Sequence, residues 1–361
     1  MAAVVGTRDL RPAAGLVLQT LAVAACYFAA GRLGLLRQLV VEDAIVTPIW
    51  PPTGVAVACL LLYGMRSWPG IALGALLVVM SITSLQPEVI GTLLGNTLAP
   101  VCAYYLLRKV GFRTSLARLR DGLTLVFLGA LTAMLVSATA GASMLVITGK
   151  LDTSSFWLVW LAWWVGDAMG VLIVTPLLLL ILQAGRRSMN LSRWKEAVGL
   201  ALIAACVIPV ATHSPMSLLF LVYPLLIWAA LRFQLAGSSL CALFASVSAT
   251  VAATDETGPF KHLSSVEVMI KLQAFNGSMA LTALLLSAMI TEQLNTRRSV
   301  ERACQELVEV LAHLTAGESP PVPPPVDTDG AKPVERSVAE KNRPKRLKRP
   351  VRPPVSPTGD T

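Results

Sequence analysis

Residues 156–182 read FWLVWLAWWVGDAMGVLIVTPLLLLIL, a run with a single acid, Asp167, and no basic side chain. A helix rises 1.5 Å per residue and the hydrocarbon of a bilayer is about 30 Å thick, so this run is long enough to cross it. A helix also satisfies its own backbone hydrogen bonds there, which an irregular segment cannot do. Composition extends that reading to the whole chain. Apolar residues make up 55% of the sequence and charged residues 14%, with a mean hydropathy of +0.65, far from the roughly quarter-charged composition of soluble domains.

Outward from this run, comparable windows fall at residues 13–31, 45–64, 68–85, 88–107, 121–148, 196–212, 215–231, 236–254 and 267–291. The expected fold is all-α, a polytopic helical membrane protein of about ten transmembrane helices with a disordered C-terminal tail. The first window follows Arg8 and Arg11, as a signal sequence would, but its apolar run is long and no clear A-x-A site follows it.

Lysines and arginines set the orientation. Alternate connections carry Arg8 and Arg11, Arg66, the group from Arg108 to Arg120, the group from Arg186 to Lys195, Arg232, and finally Arg297, Arg298 and Arg302. The intervening ones are poorer in base or balance it with acid, as Lys150 beside Asp152 does. Both termini are therefore expected in the cytoplasm. The net charge of +9 needs no nucleic acid as partner, because inner loops and the tail account for much of it. The six cysteines show no metal or redox spacing, and no cofactor is expected.

The expected organisation is a cytoplasmic N-terminus at 1–12, a membrane domain at 13–291, a short cytoplasmic amphipathic helix at 292–315 and a proline-rich basic tail at 316–361. In the third segment Val300, Ala303, Leu307, Val310 and Leu314 recur at three and four, the seam spacing of a coiled coil. Two heptads suit either a homodimer through residues 292–315 or a surface helix. The tail run from Lys341 to Arg352 carries no acid, which suits either an anionic lipid surface or a solvated chain.

Polar side chains inside the windows are the candidate site, because burying them in hydrocarbon is costly without a partner or a role. Asp167 lies near mid-depth and shares a helix face with Trp164, either lining a pocket or holding helices together. Trp50-Pro-Pro-Thr53-Gly54 opens the second window, Gly91, Gly95 and Asn96 sit in the fourth, and Lys271, Gln273 and Asn276 sit in the last. Lys271 would snorkel or pair with Glu267 four residues earlier. By the assigned orientation these clusters share a depth in the outer half. The predicted ligand-binding residues are Trp50, Thr53, Asn96, Trp164, Asp167, Gln273 and Asn276, around a cavity open to the outside. An ionised Asp167 there would suit a cationic or hydrogen-donating small ligand.

The runs Trp50-Pro-Pro-Thr-Gly54, Tyr63-Gly-Met-Arg-Ser-Trp-Pro-Gly70, Gly95-Asn96, Trp163-Trp-Val-Gly-Asp167 and Pro224 through Arg232 to Phe233 resemble the MASE1 family of bacterial membrane-embedded sensor domains, over roughly residues 10 to 295. The resemblance implies an input module of signal transduction in a bacterial inner membrane, usually fused to a cyclase, a phosphodiesterase or a histidine kinase. No GG[DE]EF-type, EAL-type or kinase ATP-binding run follows residue 295. A non-enzymatic sensor that signals through a separate cytoplasmic kinase or cyclase is therefore expected. A small-molecule transporter or channel is the alternative, since polar groups and broken helices within the membrane also suit transport.

Overall fold

The computed structural model describes residues 10–41, 44–84, 86–184 and 193–315; the readings made for the first nine residues and for the tail from 316 lie outside the described residues. Apart from a two-stranded antiparallel ribbon pairing Leu39–Val41 with Ala44–Val46, the regular elements are helices. In chain order they are α1 Leu10–Leu35, α2 Pro51–Tyr63, α3 Trp68–Met80, α4 Pro87–Lys109, α5 Leu119–Thr124, α6 Leu135–Ile147, α7 Phe156–Met169, α8 Thr175–Ala184, α9 Trp194–His213, α10 Val222–Thr254 and α11 Ser265–Thr315. Wide π turns at Leu125–Thr132 and Gly170–Val174 carry α5 toward α6 and α7 into α8. Seven of the helical stretches among the described residues are long and apolar enough to cross a membrane, while α2 and α3 are shorter apolar helices. The chain is a multi-pass membrane protein.

Prolines start three of these helices. Pro51, Pro69 and Pro87 each stand at the first or second helical position, where the missing N–H costs nothing because that donor has no intrahelical acceptor. The ribbon was not anticipated; Ile45 and Val46 of its second strand belong to the window expected to be helical from 45.

The window 215–231 from Val222 on and the whole of 236–254 fall in a single element, α10, and its backbone leaves helical geometry at Gln234, with φ 53° and ψ −137°. A Cβ built on Gly237 would lie 2.9 Å from the carbonyl oxygen of Ala229. In a straight helix eight residues separate such atoms by about 12 Å along the axis. The chain therefore doubles back at Gln234, and the two expected windows are the arms of a helical hairpin.

Small residues set the packing. Gly70 and Gly74 of α3 sit against Val23 and Tyr27 of α1, and Gly31 sits against Val78, so contact partners rise together and the two helices run parallel. Gly91 and Gly95 of α4 meet Met144 and Ser137 of α6 in falling order, an antiparallel pair. Close approach through glycine is the usual way helices associate where no hydrophobic force separates them from lipid. At the end opposite the ribbon, the backbone N–H of Leu119 donates to Glu292 at 2.7 Å and Gln183 donates to the carbonyl of Thr114 at 3.2 Å. The compact unit carrying all of these contacts ends at Ser299. Of the following unit, residues 300–315 are described, and they are helical with Val300, Leu307, Val310, Leu311 and Leu314 exposed.

Candidate functional site

The two tryptophan-containing motifs meet backbone to backbone. The N–H of Trp50 donates to the carbonyl of Gly166 at 2.9 Å, and Thr175 donates its hydroxyl to the carbonyl of Gly54 at 3.1 Å. Gly54 lies against the carbonyl of Gly170 and Gly170 against that of Trp50, neither with space for a Cβ, and a Cβ on Gly166 would lie 2.5 Å from the carbonyl oxygen of Thr47. The start of α2 therefore lies directly along α7, and the two run parallel. Pro51 and Pro52 have no N–H to offer, so the chain enters α2 with its last donor, that of Trp50, already spent on α7.

This seam buries a carboxylate. Asp167 is 0% exposed, and the hydroxyl of Thr53 donates to its Oδ1 at 2.6 Å, the short distance of a charge-assisted bond. Its Oδ2 has no hydrogen-bond partner among the described residues. Ser137 of α6 lies beside the same carboxylate and donates to Asn96 Oδ1 at 3.1 Å. Thr53, Asp167, Ser137 and Asn96 thus form one buried polar cluster joining α2, α7, α6 and α4. A serine hydroxyl has one proton, so Ser137 serves Asn96 or Asp167 at any moment.

Above the cluster lies a cavity of about 460 Å³. It opens at the end of the bundle that carries the ribbon and the connections near Thr83 and Lys150, and its walls come from α1, α3, α4, α6 and α7. Val78, Val79, Val89 and Leu145 line its sides, while Trp50, Trp163, Gly166 and Asn96 line its deeper part. Lys150 stands at the rim and donates to the side-chain oxygen of Gln86 across it.

Of the seven predicted site residues the structure brings four together. Trp50 and Asn96 line the cavity, and Thr53 and Asp167 lie beneath its floor. Asp167 is not a lining residue, so the expectation that a ligand would meet its charge does not hold. Trp164 is also not a lining residue. Its Nε1 donates to the carbonyl of Leu131 at 2.8 Å, and its ring stacks on Trp160 with centroids 5.8 Å apart. Trp163, one position earlier and so about 100° around the helix, turns to the cavity because Gly141 leaves room for its ring.

Neither Gln273 nor Asn276 lines the cavity, and Asn276 sits between α11 and the second arm of α10. Asn276 Oδ1 accepts from Ser246 at 2.9 Å, and the amide of Gln273 lies 3.6 Å from the sulfur of Met269. Lys271 neither snorkels nor pairs with Glu267. It donates to the carbonyl of Pro259 at 2.6 Å, whereas Glu267 accepts from the N–H and the hydroxyl of Ser264, both at 2.8 Å. Ser137, Trp163 and Lys150 went unpredicted. Ser137 had one signal, a hydroxyl inside an apolar window, and Lys150 had none beyond its place in a connection.

A family model, MASE1, matches residues 19–294, which is most of the chain. No curated protein and no solved structure matches it.

Proposed function

The chain belongs to the MASE1 family of membrane-associated sensor domains, and from that premise we propose that the 460 Å³ cavity is its receptor site, open to the outside of a bacterial inner membrane. A ligand enters between the ribbon and the outer ends of α3, α4 and α6, and its presence is passed to a cytoplasmic partner through residues 292–315. The observation that carries this reading is the placement of the two tryptophan motifs. They meet at the cavity floor, where Trp50 and Gly166 both line the space and bond each other at 2.9 Å.

Several contacts support ten crossings with both termini cytoplasmic. Counting the two arms of α10 separately and adding the short helices α2 and α3 brings the seven long stretches to that number. The parallel pairs α1 with α3 and α2 with α7 are the pairs that strict alternation makes parallel, and the lysines and arginines of alternate connections are what assign the shared face of the termini to the cytoplasm. The protein itself catalyses nothing in this reading, and its output depends on a kinase or cyclase recruited by the exposed apolar positions of 300–315.

Signalling of this kind needs a ligand with different affinity for two states. The test is a screen of small molecules for thermal stabilisation of the purified protein, run beside Ile82→Trp, which fills the cavity from its wall. Ligands of the receptor site stabilise wild type and lose that effect in the variant. Stabilisation equal in both would remove the cavity as receptor.

A further inference from the structure

We infer that the cavity takes an uncharged, largely apolar carbonyl compound, its oxygen received near the floor by the side-chain N–H of Asn96 and its body laid between Val78, Val79 and Trp163. The inference rests on the cavity being the receptor site and adds the chemical class of its occupant.

The polarity of the hydrogen bonds points to a carbonyl. A carboxamide carries one oxygen acceptor and two N–H donors, and in Asn96 the oxygen already accepts from the hydroxyl of Ser137 at 3.1 Å. Asn96 lines the cavity while only 6% exposed, so what it has left to offer the space is N–H. Trp163, also in the deeper lining, brings an indole whose single polar group is again a donor. A carbonyl oxygen accepts without donating and meets that need. A hydrocarbon occupant would strip water from the amide and return nothing for it.

Charge finds no counterpart there. Aliphatic side chains line the sides, and Trp50, Trp163, Gly166 and Asn96 line the deeper part, so an ion moving inward would exchange its hydration for uncharged groups. Asp167 lies beneath the floor with Thr53 bonded to its Oδ1, where a ligand cation does not touch it. Lys150 at the rim is already engaged, with Gln86 among its partners, and takes no part in the recognition. A cavity of about 460 Å³ is at the lower end of the range that encloses drug-sized molecules, which suits an alkyl chain of medium length or one or two rings.

Equilibrium dialysis in sealed cells tests this with the full chain in phosphatidylcholine nanodiscs, with empty discs subtracted. Four probes share the phenylbutane skeleton: the ketone 4-phenyl-2-butanone, the hydrocarbon butylbenzene, the anion 4-phenylbutyrate and the cation 4-phenylbutylammonium. The ketone should bind about fivefold tighter than the hydrocarbon, the worth of one neutral hydrogen bond, and at least about tenfold tighter than either ion. Asn96→Leu should bring ketone and hydrocarbon within about twofold of each other. Ser137→Ala, which keeps the amide but no longer holds its oxygen, should narrow the gap part of the way, and it decides the matter where Asn96→Leu does not fold. A further ketone, 2-undecanone, partitions into the discs and reads the source. Binding tighter than that of the phenyl ketone points to a membrane-borne compound and weaker binding to a soluble one; either supports the inference.

An ion that binds tighter than the ketone overturns the uncharged class. A hydrocarbon that matches the ketone in wild type, or a ketone preference left unchanged by the Asn96 and Ser137 variants, overturns the carbonyl. In each case loss of binding in Ile82→Trp and Leu145→Trp, each accepted once it elutes as wild type does, leaves the receptor site standing. Binding that neither filling variant weakens overturns both. Absence of binding by every probe overturns the carbonyl compound, and the receptor site is then judged by its own stabilisation screen.

Discussion

Two clusters of buried polar side chains tie helices of the membrane domain together, and one of them adjoins a large cavity. Between α2, α4, α6 and α7 the cluster of Thr53, Asn96, Ser137 and Asp167 lies under a 460 Å³ cavity. Between α10 and α11, Ser238 meets Ser287 at 2.6 Å and Ser246 meets Asn276 at 2.9 Å, all four buried, and none of them lines that cavity. Both places satisfy polar groups where lipid would not. The difference teaches that a polar residue in a membrane helix marks a receptor site only when the packing around it leaves room for something else, and the glycines and bulky indoles that decide this belong to neighbouring elements.

The largest contrast should come from glycine. On the cavity side Gly170 lies against the backbone of Trp50 with no space for a Cβ, so Gly170→Val should yield little folded protein on size-exclusion chromatography, a cost beyond about 3 kcal/mol. On the other side Gly277 has only the tip of Met169 nearby, at 3.9 Å. Gly277→Ala should therefore fold as wild type does and gain slightly from helix propensity. Equal tolerance at the two positions would mean that the α2 to α7 seam is not closed in solution.

Hydroxyl removal should give a smaller contrast. Thr53→Val leaves the Asp167 carboxylate buried without its donor, at a cost of about 2 kcal/mol, whereas Ser246→Ala removes a neutral bond worth about 1 kcal/mol. Thermal unfolding in one detergent ranks the two. Combining Thr53→Val with Asp167→Asn should cost less than the sum of the single changes, because both ends of the bond are then altered together. Ser137→Ala follows at about 1 kcal/mol, and it alone of these hydroxyl changes should also alter ligand affinity, since it frees the oxygen of a cavity-lining Asn96.

How far the sequence foretold this varies with the physics involved. Helices were legible wherever a long apolar window met no interruption, as at 156–182. The two windows on either side of Gln234 were legible as well, but the turn that joins them has neither glycine nor proline at the reversed residue. Trp50, Thr53, Asn96 and Asp167 were legible because polar or proline-bearing positions stand out against lipid-facing sequence. Trp164 was chosen over Trp163 because it shares a face with Asp167, yet its indole bonds the π turn before α6 while the cavity opens beside Trp163. Depth alone suggested that Gln273 and Asn276 belonged with Asp167, and depth carries no information about which helices are neighbours. Lys150 lay outside every window, so a search for polar groups in the membrane passed over it.

The smallest effect on stability should come from the ion pairs that end the α9 to α11 region, and their value lies in what they say about direction. Arg232 forks onto Glu196 with bonds of 3.0 and 2.5 Å, and Arg37 reaches Asp255 at 2.6 Å. All four side chains are more than 40% exposed, so Arg232→Gln or Arg37→Gln should cost under about 1 kcal/mol, and less in high salt. Yet Glu196 opens α9 and Arg232 ends the first arm of α10, while Asp255 follows the second arm. With a reversal at Gln234, Met216 and Asp255 lie on one face of the membrane and Arg232 on the other. A straight α10 would separate Met216 from Asp255. In a background freed of its six cysteines, Met216→Cys and Asp255→Cys should react with an impermeant maleimide from outside intact cells, and Arg232→Cys only after the membrane is opened. Labelling of Met216→Cys and Asp255→Cys from opposite faces would straighten the hairpin, remove one crossing and reverse α11, so that residues 300–315 would no longer be available to a cytoplasmic partner.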